Sequence, residues 1–320
     1  MELFLMTLTT GIMVGGIYAL VALGWVLIYK CSGVLNLAMG EMTLIGAYVS
    51  LTFYTLFIKG ISVKLLWLIP VQFQIESVAL AFIFSLIVSL VIGCLLGLLT
   101  ERIFLDKLIG EPVLTVIMVT VGLSFFFKGT VEFIWGVDTR VFTPPVFSIE
   151  PIRIGTLVIG QVYLWSFIAA ILLLCIFVAF FKYTRWGLAM QATADDEMAA
   201  LSLGVSARFV YAAAWAIAFM AAGVGGTLLG NINGLNISVG YLGLLVLPVV
   251  VLGGLNSVPG AIVGGIIIGC LQNFSGTYLD PLLQGIFPGG VKEVAPFVFM
   301  AVFLLFKPYG LWGWERIERV

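Results

Sequence analysis

The side chains able to do chemistry are few, and several fall in stretches of apolar residues. Glu41 stands about seven residues into an apolar run that begins near residue 34, beside Gly40. A carboxylate at membrane depth costs on the order of 3 kcal/mol unless it is paired, hydrated or protonated. Glu41 therefore reads either as a residue lining a water-filled path or as a hydrogen-bond acceptor that fixes a broken helix. Asn36 and Asn256 are further polar anchors near expected helix breaks. Asn36, Gly40, Glu41 and Asn256 form one candidate set, for a polar path. Lys128 and Glu132 lie four apart on one helical face, near a span end, where long side chains snorkel to the interface.

A second set lies in a charged loop. Thr193-x-x-Asp196 reads as a helix start of the capping-box type. Asp195, Asp196 and Glu197 crowd the first turn, where the helix dipole favours negative charge. Gly204 stands where a C-terminal glycine cap would. This predicts a short helix over 194–203 carrying Ala200 and Leu201, with Met198 and Leu203 as further apolar residues in need of a cover.

Other chemistries are missing. The chain has no histidine, which removes Ser-His-Asp and Cys-His catalysis and the commonest metal ligand. No G-x-x-x-x-G-K-[ST] loop is present to cradle a nucleotide phosphate. The four cysteines, at 31, 94, 175 and 270, are too scattered for a metal cluster and read as small core residues. No basic run suits a nucleic acid.

The elements that must carry these residues are membrane helices. Of 320 residues, 62% are hydrophobic and 10% charged. A soluble domain has roughly 45–50% apolar and about 25% charged residues, so this apolar surface must face lipid. Windows of about 20 apolar residues give spans near 4–29, 34–58, 78–100, 112–135, 157–181, 207–230, 241–255, 259–275 and 292–307. The fold expected is an all-α polytopic transmembrane bundle of about nine crossings, treated as one domain over 1–320. The pair 241–275 could instead be a broken or re-entrant hairpin. The first span reads as uncleaved, because it is too long for a signal-peptide core. Cationic residues favour one side by nine to five, which predicts the N-terminus outside and the C-terminus in the cytoplasm. The loop 182–206 is then cytoplasmic. Glycines spaced by four, such as Gly11/Gly15, Gly93/Gly97 and Gly265/Gly269, predict close helix packing. The pattern G-x-L-N-x-x-x-G occurs at 33–40 and again at 253–260, as in a parallel repeat or by chance in a Gly-rich chain.

Several stretches together resemble the permease subunits of branched-chain amino acid ABC importers, the LivH/LivM permease family. They are Gly15-Gly-Ile-Tyr through Gly24, Val34-Leu-Asn-Leu-Ala-Met-Gly-Glu41 running into Gly46-Ala-Tyr48, and Trp135-Gly-Val-Asp-Thr-Arg140. Thr184-Arg-Trp-Gly187 through Gly204, Val251-Leu-Gly-Gly254 with Pro259-Gly-Ala261, and Lys307-Pro-Tyr-Gly-Leu-Trp-Gly313 complete the order. The resemblance implies half of a two-subunit pore in the bacterial inner membrane. It implies a second permease, homologous to this one, two cytoplasmic ATP-binding subunits and a periplasmic binding protein. ATP and magnesium would be held by the ATPase partners, and this chain would need no cofactor. The loop Thr184–Gly204 becomes the ATPase-coupling segment, with Thr193, Asp195, Asp196, Glu197, Ala200, Leu201 and Gly204 as coupling residues. Leu188 and Gln191 stand where the family commonly has Arg, and the connection 59–77 is long for the family. The rival class is a stand-alone channel or ion-coupled transporter for a small polar solute. A structural subunit with no path is a third reading. Branched-chain amino acids, urea, amides and other small acids all stay open as cargo.

Overall fold

The computed structural model describes residues 1–65, 69–108, 111–148, 150–155, 157–283 and 290–313. The chain begins with helices α1 (Glu2–Ser32) and α2 (Met39–Lys59), followed by the antiparallel hairpin β1 (Ile61–Leu65) and β2 (Ile69–Phe73). Helix α3 (Val78–Thr100) runs on through a π-helical turn at Glu101–Leu105. Helix α4 (Val113–Trp135) leads to a second small hairpin, β3 (Ile152–Ile154) with β4 (Leu157–Ile159), and to α5 (Gln161–Tyr183). Two short helices, α6 (Arg185–Asp195) and α7 (Glu197–Ser202), precede α8 (Ala207–Asn233). After a 3₁₀ turn at Ile237–Tyr241 come α9 (Leu242–Gly253) and α10 (Val258–Phe274). A π-helical turn at Ser275–Leu279 joins α10 to α11 (Asp280–Leu283), and α12 (Ala295–Phe306) is last.

Among the described residues, seven helices are long and apolar enough to span a membrane. They include α10, which with its π turn and α11 reaches Leu283 and so exceeds the 259–275 span expected from sequence. The spans near 241–255 and 292–307 are the short helices α9 and α12, of 12 residues each. Twelve residues rise about 18 Å, well under the ~30 Å hydrocarbon thickness. Helices α9 and α10 pack as an antiparallel pair.

The bundle has two ends. Both hairpins lie at one, the hairpin face, where Arg140 pairs with Leu235 in a backbone bridge and the Tyr54 hydroxyl donates to Pro144 O at 2.6 Å. The other end carries α6, whose Met190 O accepts a 3.9 Å contact from Cys31 Sγ at the end of α1. Leu311 N and Trp312 N reach the same end and donate to Leu252 O and Gly253 O. They satisfy the last carbonyls of α9, which have no partner within their own helix. Of the cationic residues counted for orientation, Arg316 and Arg319 lie outside the described residues.

Helix α1 is the axle. It is apolar on every side, as suits a helix enclosed by others, and Ile17, Leu20, Val21, Leu23, Val26 and Ile28 are fully or nearly fully buried. Helices α8, α10, α5 and α9 surround it. The α1–α10 seam is backbone against backbone. A Cβ at Gly15 would come within 2.7 Å of Gly265 O and Ile266 Cα, and one at Gly11 within 2.7 Å of Cys270 Cα. The four-residue glycine spacings at 11/15 and 265/269 therefore face each other. At its far end α1 stops at Gly33, which turns left-handed at φ 67° and donates its N–H to Tyr29 O.

Gly15→Ala should destabilise the folded chain by about 1–3 kcal/mol, because neither backbone can yield. Gly129→Ala, where an added methyl meets nothing within 4 Å, should be neutral or stabilising by about 0.5–1 kcal/mol. Unfolding midpoints in detergent check both. Equal midpoints for the two variants would contradict the seam.

Candidate functional site

The connection from α1 to α2 turns back into the bundle. Leu37 N donates to Thr120 Oγ1 at 3.4 Å, and the Thr120 hydroxyl proton is shared between Ile117 O at 2.8 Å and Leu35 O at 3.3 Å. Thr120 is seven residues into α4, about 10 Å from its start. Helix α2 thus begins level with the interior of α4 rather than with its start. Its first amides would be costly there without a partner. Asn36 supplies part of the answer: it is 1% exposed, its Oδ1 accepts from Ala38 N at 3.0 Å, and its Nδ2 lies 3.5 Å from Met42 Sδ. This is an Asx turn that sets the helix start.

Glu41 lies in the first turn of α2, where the helix dipole favours a carboxylate. Ser124 acts on that carboxylate as a hydrogen-bonding side chain and Lys128 as a positive charge, both from α4. Sequence spacing matched Lys128 with Glu132 on its own helix. The structure also brings Lys128 toward Glu41 on another helix, with no ion pair within 4 Å between them among the described residues. Gly40 lets two backbones meet: a Cβ there would strike Gly240 O and Gly243 N at the start of α9. Asn36, Gly40 and Glu41 are therefore one locus. Asn256 is elsewhere, in the α9–α10 loop at the α6 end. The two G-x-L-N-x-x-x-G copies both form loops between helices at that end, yet Asn36 is sealed in and Asn256 lines open space.

The loop at the α6 end differs from its sequence-based description. No single helix covers 194–203. Thr184, not Thr193, is the first cap: its Oγ1 accepts from Gly187 N at 3.0 Å and starts α6. Thr193 lies within α6, donating to Ala189 O, and Asp195 ends that helix instead of opening one. Asp196 breaks the run in extended geometry and caps α7, accepting from Ala199 N at 3.0 Å. An aspartate cap is locally as good as a threonine one, and nothing in the sequence showed that α6 already occupied residues 185–195. Glu197 opens α7, and Gly204 follows it at φ 86°.

Packing divides this loop into two faces. Gln191 donates to Phe181 O at 2.7 Å, which folds α6 back on the end of α5. Met190, Thr193 and Ala200 are buried. Leu188, Met198, Leu201 and Leu203 are exposed, Leu203 by 83%, and Trp186 stacks against Phe209 with centroids 4.4 Å apart. Gln191 is thus spent on an internal bond, while Leu188 faces outward. Beside the loop, Arg208 at the start of α8 pairs with Asp106 at 3.0 Å. Glu101, in the adjoining π turn, is 4% exposed. Sequence reading passed over both, although a charge at the end of an apolar span was visible.

Two cavities flank this framework. One of about 660 Å³ at the α6 end is lined by Tyr29, Lys30, Thr193, Asp195, Asn256 and Tyr309 among others. It gathers Thr193, Asp195 and Asn256, which sequence analysis had put in two separate sets. The other, about 770 Å³, opens at the hairpin face among α1, α8, α9, α10 and the start of α12. Its lining includes Tyr18, which stands in the Gly15–Gly24 stretch but was given no role there, and Gln272, which no motif had marked.

A family described as "Branched-chain amino acid transport system / permease component" matches residues 7–306. The high-affinity branched-chain amino acid transport system permease protein LivH of Salmonella typhimurium is 30% identical, covering 99% of this chain and 98% of its own. LivH of Escherichia coli K12 is 29% identical over the same shares. The corresponding BraD protein of Pseudomonas aeruginosa is 27% identical, again over 99% and 98%. No solved structure matches the chain significantly. A match that runs from the first glycine seam of α1 to the end of α12, on a bundle of apolar membrane-length helices, places this chain in the family of branched-chain amino acid transport system permease components.

Proposed function

We propose that this chain is one of two permease subunits in an ATP-driven importer of branched-chain or closely related small amino acids. The second permease is a homolog. Two ATP-binding subunits dock on the α6 end and hold ATP with its magnesium, while a periplasmic binding protein delivers cargo at the hairpin face. The protein sits in a bacterial inner membrane with its N-terminus outside and its C-terminus cytoplasmic. The observation that carries this reading is the near full-length match to permease relatives whose names specify branched-chain amino acids. The α6–α7 surface supports it. Exposed Leu188, Met198, Leu201 and Leu203 at a solvent-facing bundle end need a protein cover, as an apolar patch in such a place does. In this scheme the loop 182–206 transmits the ATPase motion, because α6 is wedged against α1 by Met190 and Cys31. Asp196 sets the hinge between α6 and α7, and Ala200 anchors α7 against the bundle.

Glu41 is assigned a structural role, compensating the buried start of α2 with Lys128 as counter-charge. Transport then draws its energy from ATP and not from an ion gradient.

Two measurements test these assignments. Leu203→Glu should lower ATP-dependent leucine uptake in proteoliposomes at least tenfold and weaken co-purification of the ATPases, while membrane insertion stays normal. Unchanged uptake would refute the docking surface, and uptake by the chain alone under an ion gradient would refute the importer scheme. For the charge pair, Lys128→Met strands a carboxylate at membrane depth and should destabilise the chain. Adding Glu41→Gln should restore part of the loss, with a coupling of about 0.5–3 kcal/mol in a double-mutant cycle. Strict additivity of the two unfolding shifts would exclude the pairing.

A further inference from the structure

We propose that the cavity of about 770 Å³ at the hairpin face is a substrate site held within this single chain, for a small zwitterion with an apolar side chain. The inference rests on the importer reading and goes beyond it by naming where the cargo binds.

The volume suits a small-molecule site, which typically spans about 300–1,000 Å³. The lining has the chemistry of a free α-amino acid turned inside out. Lys292, Asp280 and Glu293 bring both signs of charge to the mouth. Gly276 lies between Lys292 and Asp280: a Cβ built there would sit at ordinary contact distance from both, 3.4 Å from Lys292 Cδ and 3.9 Å from Asp280 Oδ2. Asp280 is held in place because its Oδ1 accepts from the amides of Val291 and Lys292. Apolar side chains from α8, α9 and α12, such as Leu229, Leu245 and Phe297, form the walls.

The deep polar pair is the second observation. Tyr18 is 5% exposed and Gln272 8%, and both still line the cavity. The Tyr18 hydroxyl donates to Gln272 Oε1 across 254 positions of sequence. That bond uses the acceptor of the Gln272 amide, and its Nε2 group is left as a donor for a ligand carboxylate or a water. The wall also contains the π-helical turn Ser275–Leu279, which contributes Gly276 and Thr277. Such turns inside α-helices occur frequently at functional sites.

Position argues for cargo and against a resident lipid. The second cavity, of about 660 Å³, lies on the same helix α9. Leu245 lines the first, Val251 the second, and six residues of helix rise only about 9 Å. A site so placed is the outer half of an interrupted passage.

A phosphatidylethanolamine headgroup also joins an ammonium to an anion, so the test must separate it from an amino acid. The full chain is placed in nanodiscs of phosphatidylcholine alone, and in others containing phosphatidylethanolamine, and tritiated leucine binding is measured. Saturable binding is expected in both. Lys292→Met should weaken it at least tenfold and erase the preference for leucine over leucinamide, which lacks the carboxylate. Gln272→Leu should weaken it similarly, and Gly129→Ala should leave it unchanged. No saturable binding in either disc, or no effect of Lys292→Met on either quantity, overturns the proposal. So does phosphatidylethanolamine that displaces leucine and is retained on the wild type but lost from Lys292→Met in native mass spectra. If ATP-dependent uptake by the reconstituted complex persists in those cases, only the cavity assignment falls and the importer reading stands.

Discussion

Hydrocarbon offers no hydrogen-bond partner, so wherever this chain leaves helical geometry at membrane depth, protein must enclose the break. That constraint accounts for much of the architecture. The α1–α2 connection turns back to the level of Thr120, and it can do so only because Asn36 and the Thr120 hydroxyl engage its amides and carbonyls. The short helix α9 contains Pro248, which removes one backbone donor. Around it Val246, Val249 and Val250 are fully buried. Its last carbonyls are met by the segment after α12. Breaks of this kind need close neighbours, and glycines provide them. The Gly15–Gly265 contact and the Gly40–Gly240 contact are each places where a methyl group would separate two backbones that must touch.

The same constraint explains what sequence could convey. Lipid demands long apolar runs, so the seven full-length helices were legible from hydropathy, and glycine spacing marked the seams at 11/15 and 265/269. Short helices were harder. Twelve residues of α9 look like a poor span in sequence because they are one, enclosed by protein on its flanks. The loop at the α6 end misled for a local reason. Both Thr193 and Asp196 are good caps by residue type, but α6 is already started by the Thr184 cap and folded back on α5 by Gln191 donating to Phe181 O. Pairings between distant residues were invisible. Lys128 was matched with the acid four positions away on its own helix, while Glu41, 87 positions away on another helix, also lies in its neighbourhood. Tyr18 and Gln272 gave no signal alone, since a tyrosine or a glutamine in an apolar run is legible only once its partner is known.

Exposure divides the helices by task. Helices α1, α2 and α8 are mostly enclosed, whereas α3, α4 and α5 leave most of their surface uncovered. An apolar outer helix costs nothing in lipid, so those three need no partner to be stable. The exposed apolar residues of α6 and α7 differ, because they stand at the end of the bundle where water replaces lipid. Leu203 on that surface and Leu172 on α5 are both well exposed, yet they stand at different positions along the bundle. The distinction rests on position along the bundle axis and not on residue type, which is why composition alone could not make it.

The two cavities show how the enclosed core relates to that exposed end. Both lie along α9, and residues 246–250 of that helix, packed on α1 and α10, close the space between them. The seal is three valines, a leucine and a proline, held against α10 by backbone contacts at Gly264 and Gly260. It contains no salt bridge and no side-chain hydrogen bond among the contacts of the described residues. Side chains of that kind resist water and ions by desolvation, because a charge crossing them would lose its hydration with no group to replace it. A barrier made this way can be tight without being specific. Polar groups lie on either side of it: Gln272 and Lys292 toward the hairpin face, and Asn256, Thr193 and Asp195 toward α6. The last two belong to the helix that packs on the end of α1, so one short element carries both part of the inner cavity wall and the exposed Leu188.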